Sequence, residues 1–386
     1  MIYLDHHAST PLATAAARAM DQARDAAWAN PSSVHAAGRR ARALLEDARR
    51  AIAEAVCADA ADLVMTSGGT ESVNLAVLGL GARAQHVIST DIEHPALGEA
   101  VARLEQAGAR VTRLRVPGGA APSVDALAAA LTASGSTPAP QSTLVALQWV
   151  NHETGSLLPI ADYAALCRAR GVPLVVDASQ ALGKVRVDLR ALGADAVAFA
   201  ASKIGGPHGA GALYVARAVS LAPLLAGGGQ ERGRRPGTPD VRAAVGFGAA
   251  AAVLADRLAA MPRLAALRDR LEAALVARGA VVNGHDAGSE RVATATHVAF
   301  DGLRGEVLVA ALDVEGVCVS SGAACSSGLA APSPSVLAMY PHAPWRAAGA
   351  LRFSLGPEND ERDVDAALVA LDRVLARLGR GAIEAR

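Results

Sequence analysis

The sequence predicts an α/β protein: a large doubly wound domain on a mainly parallel, seven-stranded sheet, with a smaller α+β domain. Three observations carry this expectation. Short β-branched runs alternate with alanine-rich helical patterns from residue 35 to about 280. Several of those runs are apolar on both faces, as in a parallel sheet covered by helices. After Asn283-Gly284 the pattern shortens, and 386 residues are enough chain for two cores.

The elements follow in order. A helix is predicted over His35–Val56, because Ala41, Leu44, Leu45, Ala48, Ile52 and Val56 fall on one stripe with charged residues elsewhere. Strands are predicted at Leu63–Thr66, His86–Thr90, Arg110–Val116, Thr143–Val150, Val172–Asp177, Asp195–Ala201 and Gly211–Ala216. Residues 134–140, rich in Ser, Pro and Gly, are predicted as a surface loop. Residues 241–278 read as two long helices broken at Met261-Pro262. The smaller domain is predicted from a strand at Thr296–Phe300, a helix at Gly305–Val314, strands at Val317–Ser320 and Leu351–Leu355, and a helix to about Leu378. The expected division is 15–255 for the large domain, with 1–14 and 256–386 forming the small one.

Composition excludes several classes. Acidic and basic residues number 37 each, so no global field favours nucleic acid or an anionic membrane. The longest apolar run, Ala243 to Ala255, is 13 residues, short of the roughly 20 that span a bilayer. The first residues lack the layout of a signal peptide. Cys57, Cys167, Cys318 and Cys325 show no disulfide framework and no metal-type spacing. A cytoplasmic protein without a bound metal is expected.

The most telling residue is Lys203. Only two of the 37 basic residues are lysines; the other 35 are arginine. Lys203 ends the apolar run that starts at Ala194 and precedes Ile204-Gly205-Gly206-Pro207, which must turn. A guanidinium stays protonated in proteins, so a kept amine at the mouth of a buried strand reads as a Schiff-base former. The alternative is a strand-end lysine reaching into water. Asp177 ends another apolar strand 26 residues earlier. Such a pair is what pyridoxal phosphate requires, the lysine joining the aldehyde and the aspartate facing the ring nitrogen. Met65 to Asn74 offers a phosphate cup at Gly69 and Thr70, where a helix opens. His94 and Asn151 follow two further strands. Each residue alone also fits a helix cap or a turn; four further strand ends converging on the chemistry of Lys203 favour the site.

The ordered motifs resemble one family, the cysteine desulfurases of the class V aminotransferase group, pyridoxal-phosphate enzymes of fold type I. They include Asn30-Pro31-Ser32-Ser33, Thr66 to Ser72, Glu93-His94, Val176 to Gln180, Ser202-Lys203, Glu231 to Thr238, Ser320 to Cys325 and Arg352 to Gly356. The resemblance runs nearly end to end. It implies that Lys203 joins pyridoxal 5'-phosphate covalently, His94 stacks on the ring, Asp177 binds the ring nitrogen and Gln180 reaches the ring hydroxyl. It further implies that Gly69, Thr70 and Ser202 hold the phosphate, with Thr238 from the other subunit of a homodimer. Asn151 and Arg352 would hold the carboxylate of L-cysteine. Cys325, in a loop at about 320–335, would take the sulfur as a persulfide for an acceptor, an iron–sulfur scaffold or a thiolation protein.

Members of that family commonly carry histidine just before the lysine and serine three positions before it. Here Ser202 and Ala200 stand there, and His152 stands where asparagine is frequent. Two other activities fit the same residues: a class V transaminase or lyase with Cys325 incidental, and a sulfur-relay protein without turnover.

Overall fold

The computed structural model describes residues 1–132, 142–286, 289–321 and 332–379. Seven strands form the main sheet: β2 (Leu63–Thr66), β3 (His86–Thr90), β4 (Arg110–Leu114), β5 (Thr143–Gln148), β6 (Leu174–Asp177), β7 (Ala196–Ala200) and β8 (Gly211–Val215), after the short β1 (Ile2–Tyr3). Their order is β2-β8-β7-β6-β5-β3-β4. Only β8 runs against its neighbours, so β2 to β7 all point one way and present their carboxyl ends on one edge. Strands β2, β3, β5, β6 and β7 are buried throughout, which explains why apolar residues fall on both of their faces.

A second, antiparallel sheet has the order β12-β10-β9, from β9 (Ala280–Val282), β10 (Ala295–Phe300) and β12 (Ala350–Ser354). The strand β11 (Val317–Cys318) pairs in parallel with β1. The apolar interior separates accordingly. Clusters on the two faces of the main sheet draw on residues between Ala16 and Ala295. Another draws on Leu4 and residues from Leu264 to Leu375.

Local chemistry explains the helix boundaries. Helix Ala36–Ala55 starts where His35 accepts a hydrogen bond from the Gly38 amide, and its buried stripe is Ala41, Leu45, Ala48 and Ile52. Helix Val241–Ala252 lies so close that a Cβ at Gly248 would sit 2.8 Å from Ala48 Cα. The last helix, Glu361–Arg377, opens with a capping box between Asp360 and Asp363 and buries Val364, Leu371 and Val374.

Differences from the sequence expectation lie at ends and breaks. Arg110–Val116 shortens to β4 ahead of Pro117, and Val317–Ser320 shortens to β11. The strands β1 and β9, of two and three residues, are too short to show periodicity. The region 241–278 holds three helices, Val241–Ala252, Leu254–Ala259 and Met261–Val276. Pro262 occupies the first turn of the last one, where a missing N–H leaves no bond unmade. The loop expected at 134–140 lies outside the described residues. No helix among the described residues is long and apolar enough to cross a membrane.

Candidate active site

The carboxyl edge of the main sheet opens into a pocket of about 910 Å³, counting its mouth. Eight of the sequence-selected residues line it: Gly69, Thr70, His94, Asp177, Gln180, Ser202, Lys203 and Arg352. The first seven come from the segments after β2, β3, β6 and β7. Arg352 comes from β12, so the second sheet closes the far side.

Each wall has a local cause. After β2, Gly68 adopts φ 154°, which favours glycine, and helix Gly69–Gly81 begins. A Cβ at Gly69 would meet the Ser179 hydroxyl oxygen at 2.8 Å and Ala200 Cβ at 3.1 Å. The backbone therefore reaches the pocket with no side chain in the way, and the first-turn amides have no acceptor within their own helix. His94 caps helix Pro95–Gln106, with Nδ1 accepting from the Ala96 amide at 3.1 Å. Its ring meets that of His152 edge-on at 4.9 Å. Asp177, the last residue of β6, accepts from the Ser179 amide at 2.9 Å. Lys203 closes the single turn after β7, and its amine donates to the carbonyls of His7 (3.0 Å) and Ala8 (2.6 Å). Gln180 donates to the same His7 carbonyl at 2.8 Å. Arg352 is buried, donates to the carbonyl of His152 (2.9 Å) and pairs with Asp5 (2.6 Å); its Nε is buried with no hydrogen-bond partner among the described residues.

Burial neutralises much of the surrounding wall. Desolvation holds His7 and His152 well below the ordinary histidine value, aided by the nearby Lys203 and Arg352 cations, and lowers His297 to about 3. Neutral His7 then donates from Nδ1 to the His152 carbonyl (3.3 Å), leaving Nε2 to accept from Thr294 (3.2 Å). His94 is lowered too, chiefly by desolvation and against the pull of Asp177. Desolvation raises Glu153 to about 7, and raises Glu93 to about 8 with the Asp177 charge adding to it.

Glu93 lies under the site, accepting from the Thr90 hydroxyl (2.6 Å) and the Gln148 amide (2.8 Å). Its folded-state value lies above its unfolded one, so the folded chain binds the extra proton between about 4.5 and about 8. Stability from this group is complete below pH 4.5 and is lost as the pH rises through 8. Glu93→Gln keeps the shape and removes the titration. Relative to the parent, its unfolding free energy from urea titration, and with it the midpoint, is expected to improve from pH 5 to pH 8, the free energy by a few kcal/mol at most. Parallel midpoint-versus-pH curves for the two proteins would refute this.

Three selected residues sit elsewhere. Asn151 is fully buried and faces its own turn: its oxygen accepts from the amides of Glu153 and Thr154, and its amide donates to the Ile92 carbonyl. Its neighbour His152 lines the pocket instead. Thr238 is exposed and borders a separate hollow with Ser67 and Arg235, whose guanidinium pairs with Glu71 at 2.7 Å. Cys325 lies outside the described residues. The flanks of its loop are described. Ser320 exchanges backbone hydrogen bonds with Arg352, and the Ser333 hydroxyl bonds to the Glu153 carboxyl.

Sequence reasoning passed over His7 and Lys184. The first acts through a backbone carbonyl, which carries no residue signature. Lys184 is buried, and its amine donates to Gln180 Oε1 at 2.8 Å; being the second of two lysines was the available signal.

The pocket fits a phosphorylated pyridine aldehyde. It offers an amine, a carboxylate at a strand end, a bare helix opening for an anion, and an orphaned guanidinium nitrogen on the opposite wall. Ala200 and Ser202 both face it, so the Ser202 hydroxyl stands on the wall where imidazole is common in the resembling family.

Comparisons with known proteins show the family and the fold. The family model described as aminotransferase class-V matches residues 2–367. An "IscS-like cysteine desulfurase" of Mycobacterium tuberculosis is 41% identical, the match covering 100% of this chain and 99% of that protein. A solved structure described as a NifS-like protein superposes with a TM-score of 0.88 at 28% identity, covering 97% of this chain and 99% of that one. Another, described as SspA in complex with cysteine, gives 0.76 at 28% identity, with 93% and 100% covered.

Proposed function

We propose, from the premise that this chain belongs to the aminotransferase class-V family and is a cysteine desulfurase, that it binds pyridoxal 5'-phosphate in the pocket described above and moves sulfur from L-cysteine to Cys325. The observation that carries the site assignment is the meeting of Lys203, Asp177 and the bare opening of helix Gly69–Gly81 around one pocket. When bound, the cofactor supplies an aldehyde carbon and an electron-withdrawing ring that accepts charge from the substrate α-carbon.

The chain's residues divide the remaining work. Amides of Gly69 and Thr70, with the Thr70 and Ser202 hydroxyls, hold the phosphate. Asp177 keeps the ring nitrogen protonated, and the buried neighbour Glu93, neutral at pH 7, adds no second negative charge there. His94, held by its cap hydrogen bond, lines the pocket, where its ring would stack on the cofactor. Lys203 Nζ holds and moves the α-proton. The unused Nε of Arg352 receives the substrate carboxylate, and Asn151 supports that wall by fixing the turn that carries His152. The Cys325 thiolate attacks the substrate sulfur. An S–S bond forms as the C–S bond breaks, the bonding pair passes to the carbon skeleton, and a proton completes L-alanine.

The same reading makes residues 15–255 the cofactor domain and 1–14 with 256–386 the smaller one, supported by their separate apolar cores. It places the enzyme in the cytoplasm as a homodimer, with Thr238 completing the partner's phosphate seat; the exposure of Thr238 supports this. The persulfide passes to an acceptor protein, an iron–sulfur scaffold or a thiolation protein. To test the function, protein reconstituted with pyridoxal phosphate is mixed with L-cysteine. Equimolar L-alanine and sulfane sulfur are expected, and borohydride reduction followed by peptide mapping should mark Lys203. Label on another residue, or no alanine, would defeat the reading.

A further inference from the structure

Both lysines of this chain belong to one cluster. A chain that writes its 35 other cations as arginine has kept an amine at Lys184 as well as at Lys203. Lys184 is 7% exposed and does not line the pocket; it lies behind Gln180. Its Nζ donates to Gln180 Oε1 at 2.8 Å, Gln180 Nε2 donates to the His7 carbonyl at 2.8 Å, and that carbonyl also accepts from Lys203 Nζ at 3.0 Å. These bonds run unbroken from Lys184 to Lys203.

An amide side chain has a donor end and an acceptor end, and its environment decides which faces where. An amine clamped on Oε1 leaves only the NH2 edge for the pocket. Resting on the proposed function, we propose that Lys184 is a positioning residue that pins Gln180 with its NH2 edge toward the cofactor's ring hydroxyl. The charged and titratable groups facing Lys184 are Lys203, Arg257 and Arg352, with His6 and His7 beside them. Burial and these cations disfavour its proton, and a neutral amine still donates while a guanidinium could not shed its charge. That accounts for lysine rather than arginine. Without the clamp, Oε1 is a buried acceptor lacking its donor, which favours reorientation of the amide.

The test uses holoenzyme carrying Lys184→Met. The visible absorbance band of the bound cofactor is titrated between pH 6 and 10, and the affinity of the apoprotein for pyridoxal phosphate is measured by equilibrium titration. The band midpoint is expected to rise by about one pH unit, because a ring oxygen deprived of its donor holds the chromophore's proton more tightly. Affinity is expected to fall about tenfold. Gln180→Glu, which removes the same NH2 edge, should give a similar shift, and adding Lys184→Met to it should give no further one. Should Lys184→Met fail to fold by circular dichroism, Lys184→Ala, which leaves room for water, carries the same expectation. A lysine with a purely structural role would lower the thermal midpoint and leave band and affinity unchanged; that result in a folded variant overturns the proposal. A wild-type protein that binds no pyridoxal phosphate would instead bring down the functional reading on which it rests.

Discussion

Lys203→Ala is expected to lower turnover of L-cysteine by about 10⁴-fold or more, exceeding the loss of a general base alone, because in the proposed function one amine both anchors the cofactor and moves the α-proton. The amine stands at the carboxyl end of β7, gripped by the carbonyls of His7 and Ala8, on the same pocket as Asp177. Lys203→Arg should fail equally, since a guanidinium neither attacks an aldehyde nor gives up a proton near neutral pH. The fold should survive. Lys203 is only half-buried, and the His7 carbonyl keeps its Gln180 donor, so the lost hydrogen bonds cost on the order of 1 kcal/mol each. The measurement is L-alanine formed over many turnovers, with circular dichroism as the fold control. Multiple turnovers by a folded Lys203→Ala protein would contradict the role.

Cys325→Ala is expected to stop persulfide formation and alanine release while leaving the first half of the reaction in place. Exchange of the substrate α-proton with deuterated water should persist in this variant and vanish in Lys203→Ala. That contrast separates the thiol's work from the amine's. The flanks of the segment support the assignment: Ser320 is hydrogen-bonded to Arg352, a pocket residue, and Ser333 to Glu153, next to His152. The described residues on either side of Cys325 are thus bonded to Arg352, which lines the pocket, and to Glu153, next to a residue that does. Near-normal sulfur release by Cys325→Ala would make this cysteine incidental and favour a different class V reaction.

Much of the architecture was legible because its signals are local. Apolar runs such as Val172–Asp177 mark buried strands, and the residue after each run marks the sheet edge where ligands bind. That logic reaches Lys203, Asp177, His94 and the Gly69-Thr70 opening without three-dimensional information. It placed Asn151 less well. Asparagine after a strand suits either a ligand or a turn, and here the oxygen is taken up by the amides of Glu153 and Thr154. Helix breaks were only half visible: Pro262 announces one, whereas Val253, where the backbone leaves helical geometry, carries no such mark.

By itself the sequence determined the order of elements, the edge of the sheet that bears polar residues, and the candidate amine and carboxylate that end two of its strands. These depend on periodicity and turn chemistry within a few residues. Only the tertiary structure decided how the site is wired and which of its groups carry charge. Gln180 and Lys203 meet on the carbonyl of His7 across 173 and 196 residues of chain. Glu93 and Glu153 are pushed toward the neutral acid by surroundings drawn from distant segments. Desolvation and hydrogen-bond partnership are properties of the packed interior, so they come into being only when those segments close around one another.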